Sequence, residues 1–182
     1  SGSGKGVNER GRTLAAEGRM IEHRRFMEIA LEEAAAARAA GEVPVGALVV
    51  FGGTIVGRAH NASLALVDPT AHAEILAIRS AAVGLGNYRL VGATLYCTVE
   101  PCLMCLGTAL QARISTLVYG ARDPKVGALG RLEAMRVDGA GFNHRVETIG
   151  GVLADEAASL LLDFFRERRA VARGLTFESD AE

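Results

Sequence analysis

Two short segments far apart in the chain constrain its fold more than any other feature: His72-Ala73-Glu74 and Pro101-Cys102-Leu103-Met104-Cys105. Cys102 stands 28 residues beyond Glu74, and a proline, Pro69 or Pro101, marks the start of a predicted helix at each segment. Cys102 and Cys105 are three apart, so on a helix they share one face and both reach a single ion. A fold that uses both segments must therefore bring two helix N-termini together. Zinc at a catalytic site takes three protein ligands and keeps a fourth position for water, and one His with two Cys is such a set. Two thiolates neutralise the ion, while the positive ends of two helix dipoles favour the thiolates. Glu74 stands beside this set without being needed in it. A carboxylate so placed can take a proton from water and return it to a leaving group.

Plainer readings of the same residues are weaker. A lone C-x-x-C is often half of a structural zinc ribbon, but with three Cys in 182 residues no second pair exists. A redox pair of the thioredoxin kind would explain neither His72 nor Glu74. Cys97 falls on the apolar side of an alternating strand and reads as a small core residue. Asn61-Ala62-Ser63 matches a glycosylation sequon, yet nothing else in the chain suggests secretion. Asn61 is then either a turn residue after a strand or an amide that donates and accepts at a base edge. His60 and His144 have no ligand-like spacing to other His or Cys.

The apolar fraction is 49%, ordinary for one folded domain, and the run Ala47 to Phe51 is far too short to span a bilayer. Twenty basic against 21 acidic residues leave a net charge of −1, which gives no whole-molecule attraction to nucleic acid. Residues 1–19 lack apolar periodicity and are expected to be a disordered extension, Ser1 to Gly4 being linker-like. The folded domain is expected over 20–173, with a tail over 174–182. Apolar positions Met27, Ala30, Leu31 and Ala34 predict a helix from Glu22 to about Ala40. Val45 to Phe51 and Thr54 to Arg58 flank Gly52-Gly53 as a hairpin. A helix capped by Thr70 follows, then a strand over Ala93 to Val99, a helix from Pro101 to about Ala112 and a strand over Ile114 to Gly120. A Gly-rich, charged loop covers Ala121 to His144. A possible strand precedes a last helix with Leu153, Ala157, Leu160, Leu161 and Phe164 on one face. This alternation predicts an α/β layered sheet in one domain.

The H-x-E…P-C-x-x-C pattern is the signature of zinc nucleobase deaminases. With it stand Glu42-Val43-Pro44-Val45-Gly46, Asp68-Pro69-Thr70, Asn87-Tyr88-Arg89-Leu90, Gly120-Ala121-Arg122-Asp123, Asn143-His144-Arg145 and Asp163-Phe164-Phe165-Arg166. Over roughly residues 22–170 the chain resembles the bacterial tRNA-specific adenosine deaminases, within the cytidine deaminase-like superfamily. The resemblance implies a three-layer α/β/α fold with a central mixed sheet of about five strands and helices on both faces. It implies conversion of adenosine to inosine at the wobble position of a tRNA anticodon, with one zinc ion per subunit held by His72, Cys102 and Cys105. Glu74 carries over as the proton shuttle, Asn61 and Ala73 as substrate-binding residues, and Asp123 as a neighbour of the target nucleotide. A cytoplasmic homodimer acting on an anticodon stem-loop is implied, with no membrane. The alternative is a zinc deaminase of a free nucleobase or nucleoside such as guanine or cytidine. Two departures stand out: the N-terminal segment has no counterpart, and Arg131 stands where a small polar residue is expected. Finally, Phe165, Arg168 and Arg169 form either a solvated helix end or a stacking and phosphate platform for RNA.

Overall fold

A computed structural model describes residues 9–130 and 144–174. The linker-like start, Arg131, Asn143 and most of the expected tail lie outside the described residues. In chain order the elements are α1 (Glu9–Ala39), β1 (Gly46–Phe51), β2 (Thr54–His60), α2 (Ala73–Leu85), β3 (Thr94–Val99), α3 (Leu103–Gln111), β4 (Thr116–Ala121), β5 (Glu147–Ile149) and α4 (Ala154–Ala172).

The strands form one mixed sheet in the order β2-β1-β3-β4-β5. β1 and β2 make the expected hairpin, with Gly52 and Gly53 at φ of 57° and 77°, a conformation only glycine adopts without strain. β1 runs antiparallel to β3, whereas β3, β4 and β5 are mutually parallel. The β3–α3–β4 crossover places Val99 opposite Ala121, so the chain leaves both strands at the same edge of the sheet. In open α/β sheets that carboxyl edge is where ligands bind.

Helices cover both faces. On one face α2 and α3 bury Ala73, Ala77, Ile78, Ala81, Leu106 and Ala109 against Ala47, Val49, Leu95, Cys97 and Leu117. On the other, Phe26, Met27 and Ala30 of α1 pack on Leu48, Val50, Tyr96 and Val118, and Ala157 and Phe164 of α4 are buried as well. The alternation along β3 of Leu95 and Cys97 against Tyr96, and along β4 of Leu117 and Tyr119 against Val118, thus feeds two separate cores from one sheet.

Three boundaries differ from expectation. α1 begins at Glu9 rather than Glu22. Over 14–22 every residue is exposed, Leu14, Met20 and Ile21 included, so no buried stripe there could reveal it to hydrophobic periodicity. Thr70 does not cap α2. Its N–H and Oγ both donate to Asp68 Oδ1, at 2.8 and 2.7 Å, and His72 takes the cap position instead. Leu153, expected on the face of α4, precedes it with φ of 54° and anchors the turn by being buried.

Candidate metal and active site

His72 and Cys102 occupy equivalent places, each the last extended residue before a helix, with φ/ψ of −76°/148° and −72°/172°. Extended backbone at that position aims the side chain back across the helix end. Cys105, one turn into α3, is buried on the same side. The outcome is a closed triangle: Cys102 Sγ to Cys105 Sγ is 3.6 Å, Cys102 Sγ to His72 Nδ1 3.7 Å, and Cys105 Sγ to His72 Nδ1 3.4 Å. Tetrahedral zinc with ordinary bond lengths separates two sulfurs by about 3.8 Å and sulfur from nitrogen by about 3.6 Å. The donor set fits zinc in both chemistry and spacing. Among the described residues it is the one group of this kind.

The electrostatics favour the same occupant. Hydrogen bonds from Cys105 and His72 hold the Cys102 thiol down at about 3, so it is a thiolate at neutral pH. Its hydrogen bond to Cys102, followed by burial, pushes Cys105 up, and the pair shares a proton that a cation would displace. The hydrogen bond to Cys102 raises His72, with burial opposing it.

Glu74 lies in the first turn of α2 and is 4% exposed. Burial raises its pKa, and its Oε2 is buried without a hydrogen-bond partner. A buried oxygen left unpaired costs about 1–3 kcal/mol unless something binds it. It stands next to the metal triangle, where a water or substrate proton would satisfy it.

Asn61 is buried, and its Oδ1 accepts the Ala73 N–H at 2.8 Å. The amide therefore caps α2 from outside the helix, leaving its NH₂ group for other partners. Ala73, expected as a substrate-binding residue, has its N–H engaged by Asn61. Asp123 follows β4, and its Oδ1 accepts N–H groups from Lys125 at 2.9 Å and Val126 at 3.1 Å.

At the far end, Phe165 is 42% exposed and, with Leu161, Leu162, Arg122, Asp123 and Lys125, lines a groove of about 290 Å³. Asp123 and Phe165 are thus brought to one surface. Arg168 has a different place: it donates to the Gly41 carbonyl at 2.6 Å and lies over the Phe164 ring. It ties α4 to the end of α1, helped by the Arg38–Glu167 ion pair. Arg169, in the last turn of α4, is exposed.

Sequence reasoning assigned no role to two buried carboxylates, Glu42 and Glu100. Glu42 Oε1 accepts the N–H groups of Leu64 and Ala65, both at 2.8 Å. Glu100 accepts those of Asp123 and Leu129. The available signal was an acidic residue within two positions of a proline, Glu42-Val43-Pro44 and Val99-Glu100-Pro101.

A mixed sheet with a His/Cys/Cys triangle between two helix N-termini, and a buried carboxylate beside it, defines a zinc-dependent deaminase. The family model for the cytidine and deoxycytidylate deaminase zinc-binding region matches residues 20–121. The chain is 47% identical over 146 residues to a tRNA-specific adenosine deaminase of Haemophilus influenzae, covering 80% of this chain and 84% of the relative. A solved structure from work on A-to-I editing by tRNA:A34 deaminases at the wobble position of transfer RNA matches with TM-score 0.71 and 43% identity, over 75% of this chain and 99% of that one. A guanine deaminase from Nitrosomonas europaea matches with TM-score 0.62 and 26% identity, over 76% and 81%. The chain belongs to the tRNA-specific adenosine deaminase family.

Proposed function

We propose that the protein hydrolyses adenosine to inosine at the wobble position of a tRNA anticodon. The observation that carries this reading is the buried, partnerless Glu74 Oε2 beside the His72, Cys102 and Cys105 donors. Zinc held by those three residues supplies the Lewis acidity that makes water a nucleophile at neutral pH. Glu74 accepts one proton of the attacking water and passes it to ring N1, then takes the proton of the new C6 hydroxyl and passes it to the departing amine. One C–O bond forms at C6, the C6–N bond breaks, and ammonia leaves. Because burial raises its pKa, Glu74 can hold a proton between these transfers.

The adenine must first leave its stack, at a cost of a few kcal/mol. Contacts to neighbouring nucleotides offset that cost. The groove between Phe165 and Asp123 offers an aromatic and aliphatic floor with Arg122 and Lys125 at its rim, which suits an unstacked base and its phosphate. Arg169 adds an exposed positive charge. Arg168 serves structure first. Asn61's free NH₂ is suited to a base-edge acceptor. Exposed Leu103 and Val126, next to the metal ligand Cys102 and its bridged partner Gly127, favour a homodimer whose subunits both meet the anticodon loop. A tRNA substrate is consistent with a cytoplasmic enzyme. Among the described residues no helix is long and apolar enough to cross a membrane.

Incubating the zinc-loaded protein with an anticodon stem-loop bearing a wobble adenosine, beside free adenosine, guanine and cytidine, tests this reading. Inosine in the RNA with untouched free bases is expected. Turnover of guanine or cytidine without inosine in the RNA would overturn it in favour of a free-nucleobase deaminase.

A further inference from the structure

Among the described residues three carboxylates are buried: Glu42, Glu74 and Glu100. Glu74 belongs to the chemistry. Glu100 sits at the end of β3, one residue before Pro101 and two before the metal ligand Cys102, and is 7% exposed. Its Oε2 accepts the Asp123 N–H at 3.1 Å and its Oε1 the Leu129 N–H at 3.2 Å. One carboxylate therefore grips both ends of the turn that follows β4. Backbone pairing reinforces the grip. Ala121's carbonyl accepts the Glu100 N–H at 2.8 Å, Pro101's carbonyl accepts the Ala128 N–H at 3.0 Å, and Cys102 bridges to Gly127.

Apolar packing of the turn is confined to Ala128 and the partly buried Leu129. Arg122, Pro124, Lys125 and Val126 are exposed, and Ala128 is the buried apolar residue among positions 122–130. Gly127 makes the close approach possible, since a Cβ on it would come within 2.6 Å of Glu100 Oε2. A cavity of about 350 Å³ lined by Glu100, Arg122, Asp123 and Gly127 leaves room for the turn to shift once the grip is lost. Hydrogen bonds from neutral N–H groups to a carboxylate are roughly twice as strong as neutral pairs, so removing the charge frees the turn.

We propose that Glu100 is a positioning residue for the reaction: it clamps the 123–129 turn onto the segment that carries Cys102. The clamp holds Asp123 and Val126 at fixed distance from the metal site. This inference rests on the function proposed above, because the nucleotide is what the turn is positioned to meet. The same stretch of chain thus sets both the metal ligand and the wall beside it, so substrate is registered against the metal without a direct contact from Glu100.

The test compares wild type, Glu100→Ala, Glu100→Gln and Gly127→Ala, all zinc-loaded. Zinc stoichiometry, amide hydrogen exchange over 122–129, and kcat and KM on the wobble-adenosine stem-loop are measured. Glu100→Ala is expected to keep one zinc per chain, to lose exchange protection at Asp123 and Leu129, and to drop kcat/KM by about tenfold or more, carried mainly by KM. Glu100→Gln, which keeps one acceptor oxygen, should recover part of both. Gly127→Ala, which pushes the turn away while leaving the carboxylate intact, should reproduce the loss if Glu100→Ala does not fold. Unchanged exchange in both Glu100→Ala and Gly127→Ala overturns the clamp. Lost protection with kcat/KM within threefold of wild type overturns the positioning role. A wild type that leaves the stem-loop untouched overturns the substrate reading instead, and the exchange pattern still decides whether Glu100 anchors the turn.

Discussion

Mutation can separate the metal binding proposed for His72, Cys102 and Cys105 from the proton transfer proposed for Glu74. Glu74→Gln is expected to retain zinc and lower kcat by about 10²–10⁴-fold, the range for removing a general acid–base. Metal content by atomic absorption, read beside single-turnover rates, checks it; near-wild-type turnover would contradict the shuttle role. Cys102→Ser should lose both zinc and activity, because a serine hydroxyl stays protonated at neutral pH where the Cys102 thiol, held at about 3, is a thiolate ligand. Asn61→Ala should act twice. It removes the acceptor of the Ala73 N–H, costing about 1 kcal/mol of stability as cap removal does, and it removes the amide proposed to contact the base. A lower thermal midpoint with unchanged kcat/KM would reduce Asn61 to a cap.

At the scale of elements, the last helix carries two arginines whose roles part company. Arg168 bonds the Gly41 carbonyl and covers Phe164, so Arg168→Ala should lower the thermal midpoint. Arg169→Ala should leave the midpoint alone and flatten the salt dependence of RNA binding by a slope of about one. Equal salt slopes in Arg169→Ala and wild type would remove Arg169 from the RNA surface. The seam between α1 and β2 is electrostatic. Burial alone would raise Glu33, but hydrogen bonds from His60 and Arg58 outweigh it and hold the carboxyl below its ordinary value of 4.5. A depressed carboxylate stabilises the fold above its unfolded pKa and ceases to as pH falls through its folded one. The gap in thermal midpoint between wild type and Glu33→Gln should therefore be full at neutral pH and close below about 4.5. A gap that persists into acid would assign Glu33 a packing role alone.

Across the whole molecule, a net charge of −1 coexists with a nucleic-acid reaction because the field that matters is local. Arg122 and Lys125 line the Phe165 groove, while the acidic residues Glu32 and Glu33 pair with Arg58 on the α1–β2 seam. The parallel pairing of β3 with β4 gathers the metal segment and the Asp123 turn at one edge. A dimer would cover Leu103 and Val126 there, and sedimentation at twice the 19.1 kDa chain mass checks it. A monomer fully active on the stem-loop would show the site complete within one subunit.

The candidate site residues were legible in the sequence because metal binding and proton transfer need particular side chains at particular spacings. His72, Glu74, Cys102 and Cys105 announce themselves, and the hairpin at Gly52-Gly53 does so for the same local reason. The alternation of strands and helices was legible too, since each element's periodicity is written within a few residues. What only the tertiary structure decided is everything that depends on distant neighbours. Helix α1 runs back to Glu9 without a buried stripe to betray it. Thr70 yields the cap position because Asp68 holds it and Asn61, across the fold, takes the Ala73 N–H. Arg168 turns from an RNA candidate into a tie once Gly41 lies beside it. Glu42 and Glu100 acquire roles only when loops far along the chain present N–H groups to them. A spacing within one helix is fixed by its 3.6-residue turn, whereas a contact between residues far apart in sequence is fixed by packing, and no local pattern encodes that.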